Sequence, residues 1–400
     1  MTIYDIAGIF MGVGVVLTAV KYYLKKTDNL ILSFLQNSVG SFFIFSGYIK
    51  LIDPLGFSYK LNEYWQVFNL PFLEPLSFAQ SCFITCFEVM LGVCLLLGFQ
   101  LFWTTLFLLL MILFFLFLTW YSAYFNKVTD CGCFGDFMHL KPWETFWKDV
   151  VLTIMITPLF IFRNKISGWW DGKEKLTLSI VIAAAISFAG IQFNCYNHLP
   201  IHDFRAYKIG TNIKKAMNVP DDAPQDVYET TYIVKNLKTD KMQNMTTAQY
   251  FKIWKDTLTY DVDSSFSILK TEGYHASIHD FDLTLPNGTN VTDSLLNIEN
   301  NHFFVIMYDV QKTDKSKINQ FNKLYNECKV KGISMVALMS GAGVEEFVAT
   351  TNMEFPYVFC DGTALKTMIR SNPGLMLLNK STVVNMWHAN DVSTLDYLIK

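Results

Sequence analysis

The 400-residue sequence has no dense tract of lysine or arginine, and its formal net charge is −3. That balance excludes nucleic acid as a main partner, because a polyanion calls for a concentrated basic surface. Charge is missing again over long stretches of the first half. The run Leu101–Phe125 carries no charged residue, and about 20 apolar residues in a helix span a bilayer. No basic cluster precedes the first apolar run either; Lys21, Lys25 and Lys26 follow it. That is the reverse of a cleaved secretory signal, so the segment reads as a retained first helix. Eight cysteines scattered over so long a chain make no disulfide framework. Cys82, Cys86 and Cys94 fall within one apolar helix, where cysteine serves as a small hydrophobe.

What is present is an apolar first half followed by a polar second half. Six apolar segments lie near residues 3–20, 30–52, 76–98, 101–125, 145–162 and 176–194. Pro158 interrupts the fifth, which a membrane helix tolerates where its neighbours satisfy the freed carbonyl. The pattern predicts an α-helical polytopic membrane bundle over 1–195, in contact with lipid. A spacer or small mixed subdomain over 196–275 and an α/β domain over 276–400 follow. Lysine and arginine on alternate loops set the orientation. Lys21, Lys25, Lys26, Arg163, Lys165, Lys173 and Lys175 fall on one side, against Lys60, Lys127, Lys141 and Lys148 on the other. The richer side is assigned to the cytoplasm of a bacterium. Both termini and everything beyond residue 195 then face the periplasm, where disulfides persist.

On that outer side one stretch concentrates chemistry: Asp130-Cys131-Gly132-Cys133-Phe134-Gly135-Asp136. Cysteines two apart close only a small, strained ring, and strain makes a disulfide easier to reduce. Such a bond is a transferable oxidant. Gly132 and Gly135 give the backbone freedom for a tight turn, and Phe134 is expected to insert into the bilayer surface. Other readings stand beside this one. The two sulfurs can pair elsewhere, with Cys195 at the outer end of the sixth segment as a resolving thiol. They can be purely structural, or can hold zinc or copper with His139 and Asp136. Among the spans, Glu88 is either a packing residue, protonated or hydrogen-bonded, or an intramembrane functional site. Lys50 and Asp53, close to the interface, read as locally paired structural residues.

Ser46-Gly47-Tyr48-Ile49-Lys50-Leu51-Ile52-Asp53-Pro54 and Phe87-Glu88-Val89-Met90-Leu91-Gly92 resemble the DoxX and MauE membrane families. The Cys-Gly-Cys-Phe-Gly loop resembles the MauE branch in particular. The resemblance covers about residues 30–162 and implies a four-helix core with the first and sixth segments as additions. It also implies an association with thiol and quinone redox processes and with maturation of periplasmic proteins, a quinone being the cofactor to look for between the helices near Glu88.

The last 125 residues alternate strand and helix signals. A hairpin is expected over 281–292, turning at Pro286-Asn287-Gly288, then strands over 303–308, 333–339 and 357–360 separated by helices, then an antiparallel pair over 375–378 and 383–387. Helical crossovers imply parallel pairing in the middle of the sheet. This order resembles the thioredoxin-like fold, with Pro373 in Ser371-Asn372-Pro373-Gly374-Leu375 matching the family's cis-proline. Active members open a helix after the first central strand with two cysteines; here that position reads Asp309-Val310-Gln311-Lys312-Thr313-Asp314. The domain therefore lacks its usual redox pair. Cys360 ends a parallel strand at the same edge and reads either as a buried small residue or as a lone thiol able to form a mixed disulfide, while Cys328, late in a helix, reads as packing. Two functions follow from the sequence. One is a membrane thiol–disulfide oxidoreductase or redox accessory protein using Cys131 and Cys133 on a periplasmic partner. The other is a non-catalytic assembly subunit that binds partners through the redox-dead domain.

Overall fold

The computed structural model describes residues 2–399 except 28, 129–131, 139, 171, 221, 272 and 280. Its first half is built from α1 (Ile3–Tyr23), α2 (Leu30–Leu51), α3 (Pro54–Val67), α4 (Ser77–Leu97), α5 (Leu101–Phe125), α6 (Pro142–Ile161) and α7 (Glu174–Asn197). Local signals fix several of the ends. Thr2 and Asp5 form a reciprocal cap on α1, Asn29 accepts the Leu32 N–H at the start of α2, and left-handed Gly98 closes α4, as orphan helix-end groups require.

Helices α1, α2, α4, α5 and α7 are long and apolar enough to cross a membrane. Helix α6 is of similar length but carries Glu144, Lys148 and Asp149 in its first half. Large apolar side chains stand exposed on the outer helices, among them Ile9 and Val16 of α1, Leu110 and Phe117 of α5, and Ile186 and Phe193 of α7. Water does not tolerate so continuous an apolar surface and lipid does, so the chain is a multi-pass membrane protein. Helix α3 falls outside the six expected segments. Its own signal is Asp53-Pro54: Asp53 accepts the Gly56 N–H as the cap and Pro54 occupies the first turn, the arrangement proline favours.

The inner face of the bundle rests on small residues. A Cβ at Gly47 would stand 2.7 Å from the Val89 nitrogen, and one at Gly92 2.8 Å from the Gly40 carbonyl oxygen. Only glycine lets α2 and α4 approach so closely, a common device between membrane helices. Lys21, expected as a loop charge, is instead fully buried. Its Nζ donates to Gln36 Oε1 at 2.8 Å and to the Ser167 carbonyl at 2.9 Å, because a cation at that depth must find acceptors inside the protein.

Beyond the bundle, β1 (Val227–Asn236), β2 (Lys241–Thr246) and β3 (Tyr260–Thr271) form an antiparallel sheet in the order β2-β1-β3. Then β4 (Asn301–Met307), β5 (Ser334–Met339), β6 (Tyr357–Phe359), β7 (Gly374–Asn379) and β8 (Thr382–His388) form a second sheet, ordered β6-β5-β4-β7-β8. Strands β4, β5 and β6 are parallel, while β7 and β8 run antiparallel. Phe303 to Met307 are wholly buried, as a central strand covered on both faces requires.

The expected 281–292 hairpin is a narrow turn tied by Leu285 N–H to Thr289 O and Val291 N–H to Leu283 O. Residues from the expected spacer also join this domain. Tyr207 and Ile213 sit in its core, and the Gly210 and Ile213 amides donate to the Val383 and Ser381 carbonyls. Backbone bonding to the free edge of β8 draws the segment in, which periodicity alone does not reveal.

Candidate functional site

The site is built where α3, the C-terminal ends of α2 and α5 and the N-terminal end of α6 meet the loop after α5. Cys131 and His139 lie outside the described residues; Cys133 to Met138 lie within them. Gly132 takes a positive φ of 65°, and the Gly135 amide donates to the Gly132 carbonyl at 3.0 Å. A Cβ on Gly132 would meet the Lys60 stem at 2.7 Å, so the loop lies directly against α3.

Phe134 does not insert into the bilayer surface as the sequence suggested. It is 1% exposed and packs on Phe42 and Phe45 of α2, with ring centroids 5.9 and 6.3 Å away. The bundle offers it a ready-made aromatic socket, which buries more of the ring than a lipid headgroup region does. Phe137 continues the stack between Phe45 and Phe204. On the other side of Phe134 stands Lys148, 5.8 Å from the ring centroid and paired with the wholly buried Asp149, which accepts from Thr119.

Cys133 lines a small enclosed cavity of about 20 Å³ together with Lys50, Phe57, Lys60, Phe115 and Thr119. Lys50 does not pair with Asp53, as near-neighbour spacing suggested. Its Nζ lies 2.5 Å from Oε2 of Glu88, both side chains being at least 96% buried. The contact is an ion pair rather than an aligned hydrogen bond. It also sits 5.6 Å from the Phe57 ring centroid and 5.0 Å from that of Phe115, where the faces of aromatic rings attract a cation. Lys50 lines the cavity and Glu88 does not. Lys50 and Glu88, read separately from the sequence, are therefore one device carried by α2 and α4. What links them in the chain is helical phase: Gly47 and Glu88 share the contact at which α2 and α4 touch.

Asp53 serves the other half of the site. Arg370, immediately before Ser371-Asn372-Pro373 and only 4% exposed in its side chain, donates from Nε to both Asp53 oxygens at 2.9 Å. Its Nη2 lies 2.7 Å from Asp136 Oδ2. The Asn372–Pro373 peptide is cis. Burial would raise the Asp53 carboxyl, but the guanidinium outweighs it and holds the group below its ordinary value. Below Arg370, the Tyr59 ring of α3 lies 5.7 Å from the guanidinium and meets Tyr308 edge-on at 6.4 Å. The C-terminal sheet thus docks on α3 and the cysteine loop, and both lie at one end of the bundle. Because the Asp53 carboxyl is depressed, its contribution to docking is present above the usual aspartate range of about 4. It is lost only as pH falls through the lower folded value. Limited proteolysis across pH should accordingly show the C-terminal domain equally protected at pH 5 and pH 8 and released only in stronger acid.

The remaining cysteines are dispersed. Cys195 is buried on α7 and carries no disulfide, so it is not joined to the loop. Cys328 and Cys360 are buried in the C-terminal cores, where burial pushes each thiol up to about 12. At neutral pH both stay protonated and unreactive. Asp136 is committed to Arg370, and among the described residues no cluster of histidine, cysteine and carboxylate side chains has the spacing of a metal site.

A groove of about 450 Å³ opens between α1 and α6, lined by Ile6, Phe10, Phe42, Trp147 and Leu152, with Glu144 and Lys148 also on its wall. Glu88 does not line it, so this groove lies away from the position the sequence suggested for a quinone.

Residues 28–162 match the family model of methylamine utilisation protein MauE, a membrane family. No curated protein and no solved structure matches the chain.

Proposed function

We propose that this protein is a membrane redox accessory in which Cys131 and Cys133 carry out thiol–disulfide exchange with proteins on the outer face of a bacterial inner membrane. The observation that carries the reading is that Cys133 and Lys50 line the same small cavity. A nearby cation favours thiolate over thiol, and Lys50 has the Glu88 carboxylate as its buried ion-pair partner. Similarity to MauE over 28–162 supports the coarser role of a membrane accessory.

Exchange transfers two electrons and two protons from a partner dithiol to the Cys131–Cys133 disulfide, leaving the partner oxidised and the loop pair reduced. Reoxidation needs a two-electron acceptor. A lipid-soluble quinone would supply that acceptor when bound, and the α1–α6 groove fits one: it is apolar, and Lys148, which reaches over Phe134 from its wall, adds a hydrogen-bond donor. The quinone reading moves with the cavity from Glu88 to this groove.

We read residues 276–400 as a thioredoxin-like domain; the strand order β6-β5-β4-β7-β8 and the cis peptide at Pro373 support this. It has no cysteine at Asp309 to Asp314, and the edge bearing Tyr308 and Arg370 rests on the bundle. That docking also favours a second reading, a non-catalytic assembly subunit whose domain is a fixed structural cover. The thiol state of Cys131 and Cys133, trapped in native membranes under changing electron supply, separates the two: it alternates under the first reading and stays constant under the second.

A further inference from the structure

Arg370 makes more contacts than docking requires. Its Nε already holds both oxygens of Asp53, and its Nη1 donates to the Lys366 carbonyl. The third direction, Nη2, reaches 2.7 Å to Asp136 on the cysteine loop. The residues behind Arg370 are fixed too. Ser371 Oγ donates to the Pro373 carbonyl and accepts the Ala389 N–H, and the Asn372 amide donates to the Asp309 carbonyl at 2.8 Å. Room for the Asp53–Arg370 pair comes from Gly56, where a Cβ would stand 2.3 Å from Asp53 Oδ2 and 2.8 Å from Arg370 Nη2.

On the loop side, Asp136 follows Cys133 by three residues within a turn closed by Gly135 N–H to Gly132 O and Phe137 N–H to Phe134 O. Phe134 plugs the bundle from within, so the cysteine is held between an aromatic anchor and a charged one. Charge-assisted bonds from a buried guanidinium are short, directional and costly to leave unmade.

We propose that Arg370 is a positioning residue for the turn that carries Cys133, holding it through Asp136 against the C-terminal end of α2. The C-terminal domain, having no thiol pair of its own, keeps Cys133 in place and shields it. This rests on the reading of that loop as the thiol site.

The test uses the full chain in membranes, with Cys131→Ser as background so that Cys133 is read alone after chemical reduction. The rate of alkylation by a membrane-impermeant maleimide is followed at the Cys133 peptide. Arg370→Gln and Asp136→Asn should each raise the rate at least tenfold, and together no further than either alone. Gly56→Ala, which keeps every charge but crowds Asp53 Oδ2 and Arg370 Nη2, should raise it as well, and Arg370→Lys should restore part of the protection. Cys360 serves as the internal control. If Arg370→Gln also exposes Cys360, the domain has unfolded and Asp136→Asn, which leaves that domain intact, decides. An unchanged rate in Asp136→Asn overturns the proposal and reduces Arg370 to an anchor. Because the rate is read on reduced protein, the outcome stands whether or not the pair cycles, so failure here and failure of the redox reading are seen separately.

Discussion

Lys50→Met should destabilise the membrane domain by about 3–5 kcal/mol, the cost of leaving one member of a buried ion pair without the other. Glu88 is 3% exposed on α4, and with Lys50 gone it must either stay charged inside the bundle or take up a proton. The loss should appear as a lower unfolding midpoint in detergent. Lys50→Met combined with Glu88→Leu should recover most of the stability, since two apolar side chains of similar volume often replace a buried pair at little cost. The double variant should nevertheless support thiol exchange poorly, because the cavity beside Cys133 loses its buried cation and its other lysine, Lys60, is paired with Glu63. A single variant as stable as the parent would show that the two residues do not act as an ion pair.

Gly47→Leu should cost about 3 kcal/mol, the upper part of the range for overpacking a well-filled interior. At this position the obstacle is the backbone of Val89, not a flexible side chain tip, so α2 and α4 have to move apart. Lys50 stands one helical turn beyond Gly47, on the same face, and the separation also pulls it from Glu88. The same unfolding measurement, made with Gly8→Leu as a control, checks this. A Cβ at Gly8 meets nothing within 4 Å, and that variant should unfold like the parent.

Much of the architecture is written locally. Runs such as Leu101–Phe125 cannot sit in water, and alternating apolar strands and helices in the last third give the order in which the sheet is assembled. Helix α3 escaped notice because its 14 residues include Lys60, Asn62 and Glu63 and its mean hydropathy is low, although Asp53-Pro54 announces its start. The site was legible only in parts. Cys133, Glu88, Lys50 and Asp53 each stand out for residue type, but their partners are fixed by packing at long range. Glu88 finds Lys50 across a glycine contact, and Asp53 finds Arg370 more than 300 positions away. Arg370 carried no signal of its own, being an ordinary arginine beside a proline until the domain docks. Phe134 was misjudged for a related reason: an aromatic next to a membrane looks the same in sequence whether lipid or a socket of Phe42 and Phe45 receives it.

The central claim is that Cys131 and Cys133 exchange electrons at this site. The most direct measurement is acid-quenched trapping of their thiols in native membranes while the supply of oxidised quinone is switched on and off. The account predicts that the pair moves between disulfide and dithiol with that supply while Cys328 and Cys360 remain unmodified thiols throughout. A pair locked in one state under every condition would contradict it and leave the assembly-subunit reading in its place.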